Sequence, residues 1–233
     1  MARWSPVEGV DGVWRFVQQD AGVDMFTSLA VQLSGGGVAL VSPLPSHVQG
    51  DFAELETLGS PTFLLAPNHY HNRGLVPVSQ RYPDILRVAS AAALPRLKRR
   101  TQLAIGPLAS LIERLPAGVS ILQPEGLKQG EVWLRCETPD GVAWMVTDAF
   151  FNVLPLPTSV FGGFLWLTQG APGLRIGGTF LGVGIGDRPR YRAWLRDQLA
   201  ADRPTLLVPA HGVPVGGVDL ANQLGEIVER RLG

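Results

Sequence analysis

Hydrophobic residues in this chain fall in short runs bounded by Gly, Pro and Ser, and the runs change character along its length. The opening third reads as β-structure. "GVWRFVQ" (12–18) is a first strand, and "LAVQLSGGGVALVS" (29–42) is two β-rich runs joined by a glycine-rich turn, the signature of a hairpin. A polar stretch with helical character (51–59) leads into "PTFLLAP" (61–67), wholly apolar and bounded by prolines, as expected of a strand covered on both faces. Strand and helix then alternate: a short helix over 75–83, a strand over 85–90, and a helical segment over 91–100 interrupted by Pro95. Leu108, Leu111, Ile112 and Leu115 recur at helical spacing.

A second hairpin follows, "EVWLRCET" (131–138) and "VAWMVTD" (142–148) around Pro139-Asp140-Gly141, and its later strand is apolar until it ends on Asp148. The last third holds a helix over 188–201, capped by Asp187 with Pro189 in its first turn, then a strand over 205–209, His211-Gly212, and an amphipathic helix over 220–232. This order suits a layered α/β architecture. At 233 residues and 45% hydrophobic content, we expect one compact domain spanning 1–233.

Charge removes several functions. Twenty basic and twenty acidic residues cancel, and the one basic cluster, Arg96 to Arg100, is short and has no interleaved aromatics, so no nucleic-acid partner is expected. No run is long and apolar enough for a membrane span, and the first residues lack a signal peptide's apolar core, so neither a membrane partner nor export is expected and the location reads as cytoplasmic. The single cysteine, Cys136, alternates with Val132 and Leu134 and reads as a packed core thiol. The glycine-rich "LGVGIGD" (181–187) lacks the pattern of a phosphate loop, and no G-x-S-x-G, C-x-x-C or H-E-x-x-H occurs.

The histidines remain. His69 and His71, in "PNHYHNRG" (67–74), stand two apart, and on extended backbone both would face one ion at a strand end. Asp148 ends a second strand and His211 follows a third, so three strand ends carry candidate ligands, where α/β sheets place their sites. The bland alternative is that these are loop residues hydrogen-bonded to backbone or water.

The order and spacing of these segments resemble the metallo-β-lactamase fold superfamily along nearly the whole chain. "LAVQLSGGGVALVSP" resembles its N-terminal ββ unit, "PNHYHNRGL" its H-x-H-x-D-H loop, "MVTDAFF" the segment of its bridging acid, and "PAHGVP" its last histidine loop. On this alignment His69, His71, Asp148 and His211 match metal ligands. The chain also resembles an uncharacterised branch that carries P-N-x-x-H-H before a Y-P-D/A segment, and there Asn68 and His71, not His69, are the matching positions. The implied fold is an αββα sandwich of two mixed β-sheets flanked by helices.

The departures are as informative. Arg73 and Gly74 replace the Asp and His of the family pattern, Leu127 falls where its next histidine would be, and "LVSPLP" replaces L-I-D-T-G. A guanidinium about 5 Å from a divalent cation repels it by roughly 6 to 7 kcal/mol at an effective dielectric near 20. We therefore expect at most one divalent ion, Zn²⁺, Fe²⁺ or Mn²⁺, or none, with Arg73 paired to Asp148 in place of a second metal. Glu125 or Glu131 could stand in for the missing histidine, and His47 reads as a surface residue. The expected function is a mononuclear metal-dependent hydrolase of a small molecule, with Arg73 or Asn68 holding an anionic or carbonyl group. The alternative is a catalytically inactive scaffold that binds a small molecule or a protein, and redox chemistry on non-haem iron has only the fold to recommend it. The stretch 153–187 could form a cover, a dimer contact, or further sheet and turns, so the oligomeric state stays open.

Overall fold

The computed structural model describes residues 4–45 and 52–233. Its first sheet has seven strands in chain order: β1 (Trp4–Pro6), β2 (Val13–Asp20), β3 (Val23–Gln32), β4 (Val38–Val41), β5 (Pro61–Ala66), β6 (Leu86–Ala89) and β7 (Gly106–Pro107). Strands β1 to β4 are antiparallel, and β4 to β7 run parallel. The parallel half needs crossovers, which α1 (Phe52–Leu58), α2 (Leu75–Arg81) and α3 (Leu94–Thr101) supply. A short α4 (Ala109–Ile112) leads to the second sheet.

That sheet begins with β8 (Val119–Leu122), β9 (Trp133–Thr138) and β10 (Gly141–Val146). The chain then leaves it for a separate ribbon, β11 (Phe151–Val153) against β12 (Gly173–Arg175), with α5 (Val160–Leu167) between them. After α6 (Gly178–Val183) and α7 (Arg188–Asp202), strand β13 (Leu206–Pro209) joins β10 in parallel, β14 (Val215–Gly216) forms the edge, and α8 (Leu220–Leu232) closes the fold.

Two-residue periodicity explains why the central strands are apolar throughout. In β4, Ala39 and Val41 face the second sheet while Val38 and Leu40 face the helices; in β5, Phe63 and Leu65 face inward and Leu64 and Ala66 outward. Strand β10 repeats this, with Ala143 and Met145 in the inter-sheet core and Trp144 and Val146 against Tyr191, Leu195 and Leu224 of α7 and α8. The layers are therefore helix, sheet, sheet, helix, and the αββα sandwich is present. Cys136 is buried between the sheets, and burial pushes its thiol up to about 12, which keeps it in the uncharged, inert form.

Two local expectations change. Pro95 lies in the first turn of α3, where its missing N–H costs nothing, so it starts that helix and does not interrupt it. Residues 23–28 are strand, joined to β2 by a tight turn at Ala21 and Gly22, both with positive φ.

Candidate metal centre

Three chain segments leave C-terminal strand ends at the same edge of the sandwich. Residues 67–71 follow β5, Thr147 and Asp148 follow β10, and Ala210 and His211 follow β13. One nitrogen each of His71 and His211 and one oxygen of Asp148 lie within 4.8 Å of one another. His71 Nε2 is 3.3 Å and His211 Nε2 3.1 Å from the same atom, Asp148 Oδ1. Donors bound at about 2.0–2.2 Å around a tetrahedral ion stand roughly 3.3–3.5 Å apart, so the spacing fits a shared cation.

The outer ring nitrogens have partners of their own. His211 Nδ1 is 3.1 Å from the Met25 carbonyl, which can only accept, so Nδ1 carries the proton and a neutral His211 presents the Nε2 lone pair to Asp148. His71 Nδ1 is 2.7 Å from Ser42 Oγ. Phe151 stacks on the His211 ring at 4.8 Å between centroids and Phe26 meets it edge-on at 5.5 Å, which fixes its plane. Lone pairs on two imidazoles and a carboxylate cannot converge without a cation, either protons or a metal ion. Burial alone would raise the Asp148 carboxyl. When the imidazoles are protonated, the charge of His71, the hydrogen bonds that His211 and His71 then donate, and the charge of His211 outweigh burial and hold it well below the usual carboxylate range.

Each loop is shaped by a buried acceptor. Asn68 is fully buried; its Oδ1 accepts from the backbone N–H of Tyr70 (2.8 Å) and His71 (3.1 Å), and its Nδ2 donates to Asp148 Oδ2 at 2.8 Å. Behind Asp148, the buried Glu131 carboxylate accepts the consecutive N–H groups of Thr147, Asp148 and Ala149, each at 3.2 Å, together with Trp133 Nε1 and Gln129 Nε2. Burial, then the charge of Asp148, push the Glu131 carboxyl up to about 7, against the Trp133 and Ala149 hydrogen bonds.

His71, Asp148 and His211 are thus brought together and His69 is left out. The capping by Asn68 curls the loop, so residues 69 and 71 do not share a face as they would on extended backbone. The His69 ring packs edge-on to Tyr70 at 4.3 Å, its buried Nε2 has no partner, and burial first, then Arg96, lowers its pKa. Asn68, expected to hold substrate, is committed to the loop and to Asp148.

The expected Arg73–Asp148 pair does not form. Arg73 is exposed at the mouth of the cavity, and Asp148 is balanced by two imidazoles and an amide instead. Gly74 has no room for a side chain, since a Cβ there would stand 2.4 Å from the Pro43 carbonyl. Leu127 packs against the apolar cluster under α7 and α8. Glu125 pairs with Arg190 at the surface, and Glu131 is saturated by its donors, so neither stands in for a histidine. His47 lies outside the described residues. Sequence reasoning missed Ser42, and the "VSP" after the first hairpin was the available signal.

A cavity of about 490 Å³ opens onto the triad, with Phe26, Leu44, Tyr70 and Arg73 among its walls. A larger one, about 790 Å³, lies at the opposite strand ends beside Arg15, Thr138 and Asp140 and has no histidine. The converging titratable groups favour the first as a binding site.

No protein-family model matches the chain, and no curated protein matches it by sequence. Solved structures do. A metallo-β-lactamase from Pontibacter korlensis aligns over 99% of this chain and 100% of its own, with a TM-score of 0.60 and 11% identity. The DIM-1 metallo-β-lactamase aligns over 98% and 97%, with a TM-score of 0.62 and 11% identity. A flavo di-iron protein from Thermotoga maritima aligns over 98% of this chain and 61% of its own, with a TM-score of 0.59 and 12% identity. The chain has the metallo-β-lactamase fold.

Proposed function

We propose that the protein is a mononuclear metal-dependent hydrolase of a small molecule, with His71, Asp148 and His211 holding one divalent ion. The observation that carries this reading is the convergence of two imidazole nitrogens on one carboxylate oxygen, with His211 Nδ1 tied to the Met25 carbonyl so that its Nε2 faces the ion. Outer partners of this kind orient ligating imidazoles. The donor set of two nitrogens and one oxygen suits Zn²⁺, Fe²⁺ or Mn²⁺. A single ion is favoured because Arg73, Gly74 and Leu127 supply no ligand for a second.

A divalent ion at such a site acts as a Lewis acid and brings the ionisation of water toward neutral pH. The chain's own residues do the rest. Ser42 and the Met25 carbonyl orient the imidazoles, and Asn68 and Glu131 fix the loops that carry His71 and Asp148. Phe26, Leu44 and Tyr70 offer an apolar wall to the body of the substrate. Arg73, exposed at the cavity mouth and without an ion pair among the described residues, holds an anionic or carbonyl group.

The test is to strip metals, restore Zn²⁺, Mn²⁺ and Fe²⁺ separately, and follow hydrolysis across esters, lactones, thioesters and phosphoesters, with His211→Ala alongside. Turnover that returns with one ion and is absent in the variant supports the reading. A loaded site that turns over none of them favours the non-catalytic scaffold, and turnover indifferent to metal overturns the metal-dependent reading.

A further inference from the structure

Residues 149–174 contain no Asp, Glu, Lys, Arg or His, and α5 lies inside that stretch. Its N-cap Ser159 accepts from Gly162 N at 3.0 Å, and Leu165 anchors it among Val23, Met25 and Val153. The outer face of the helix is apolar and open: Val160 is 94% exposed, Leu167 74%, Trp166 63% and Phe164 45%, and nearby Leu154 is 51% exposed. A helix apolar on all sides belongs in apolar surroundings, and water supplies none here.

Charge says which surroundings. At the C-terminal end of α5, Arg231 donates from Nη1 to Gln169 Oε1 and from Nε to the Ile176 carbonyl. Arg175, Arg188 and Arg230 stand near enough to Arg231 that their charges, after burial, lower its pKa. None of these four arginines forms an ion pair among the described residues. An occupant of this face must therefore be apolar where it meets Trp166 and Leu167 and anionic beside them. A second copy fits poorly. It would bring four more unpaired arginines, and the acid beside the helix, Asp20, is already bonded to Ser159 Oγ.

We propose that α5, with Leu154, docks on an anionic lipid bilayer. The apolar side chains enter the headgroup boundary, the exposed Arg188 and Arg230 meet lipid phosphates, and the half-buried Arg175 and Arg231 add positive charge behind them. An exposed Trp and adjacent arginines are the residue types that anchor a helix lying on a membrane. Among the described residues no helix is long and apolar enough to cross a membrane, but docking on the surface needs no span. The expectation of no membrane partner rested on the missing span. Phe161 of α5 stacks on Phe26 at 5.8 Å, and Phe26 meets His211, so the docked helix borders the wall of the metal site.

Flotation of the full chain with phosphatidylcholine vesicles, with and without phosphatidylglycerol, tests this at low and high salt. The protein should float with anionic vesicles at low salt, and not with neutral vesicles or at high salt. Trp166→Ser with Leu167→Ser, both exposed and removable without opening the core, should weaken partitioning about tenfold or more. Arg230→Gln should weaken it about fivefold. No flotation of the wild type at low salt overturns the proposal, and so does flotation that the Trp166 and Leu167 substitutions leave unchanged. A stable dimer in sedimentation that these substitutions split would give the face to a second copy instead.

Discussion

The loop after β5 and the loop after β10 solve one problem in two ways. Each must hold a candidate ligand at a strand end, and each does so by pointing consecutive backbone N–H groups at a buried side chain. After β5 the acceptor is Asn68, neutral and inside the loop it organises. After β10 it is Glu131, charged and 17 residues before the Asp148 amide that it holds. A local amide can be replaced at modest cost because the loop's other bonds survive. A buried carboxylate with five donors cannot, since its loss strands the donors in apolar surroundings.

The largest effect should follow from Glu131→Gln. Its amide N–H₂ would face the donors Gln129 Nε2 and Asp148 N, and urea unfolding should show a loss of about 3–5 kcal/mol. The pH dependence sharpens this. The folded-state pKa of Glu131 is raised, so the folded chain keeps a proton that the unfolded chain releases. Its contribution to stability is therefore greatest at and below the ordinary carboxylate range and is lost as pH rises toward about 7. His69 has a lowered pKa and acts with the opposite sign, losing stability as pH falls below its ordinary value. The difference between wild type and Glu131→Gln cancels the His69 contribution, and that difference should shrink toward pH 7.

Asn68→Ala should cost less, about 2 kcal/mol, because the two N–H groups and Asp148 Oδ2 that lose a partner belong to half-buried residues. A loss as large as that of Glu131→Gln would erase the contrast between the loops. Ser42→Ala should leave stability within about 1 kcal/mol but weaken metal binding about 10- to 100-fold by calorimetry, because the His71 ring loses its outer partner. Arg73→Ala should change stability by less than about 0.5 kcal/mol, as expected of an exposed side chain with no ion pair among the described residues.

The same contrast explains what the sequence made legible. The layers were readable because period-two patterns and apolar runs report burial directly, and "PTFLLAP" and "VAWMVTD" both became central strands. Asn68 and His71 were readable as an alignment to one branch of the superfamily, since the capping residue sits in the motif it shapes. Reading His69 as a ligand assumed extended backbone, which the Asn68 cap abolishes. The role of Glu131 could not be read, because its partners at 147–149 lie across the β9–β10 hairpin and only the fold brings them together. Arg73 misled because pairing was inferred from charge alone, without the two imidazoles that already balance Asp148.

The central claim is that His71, Asp148 and His211, without His69, hold a single ion. The most direct measurement is metal stoichiometry after loading and exhaustive washing, on wild type, His69→Ala and His71→Ala. The account predicts one equivalent in wild type and in His69→Ala, and none in His71→Ala. Two equivalents, none in wild type, or an equal loss in His69→Ala would contradict it.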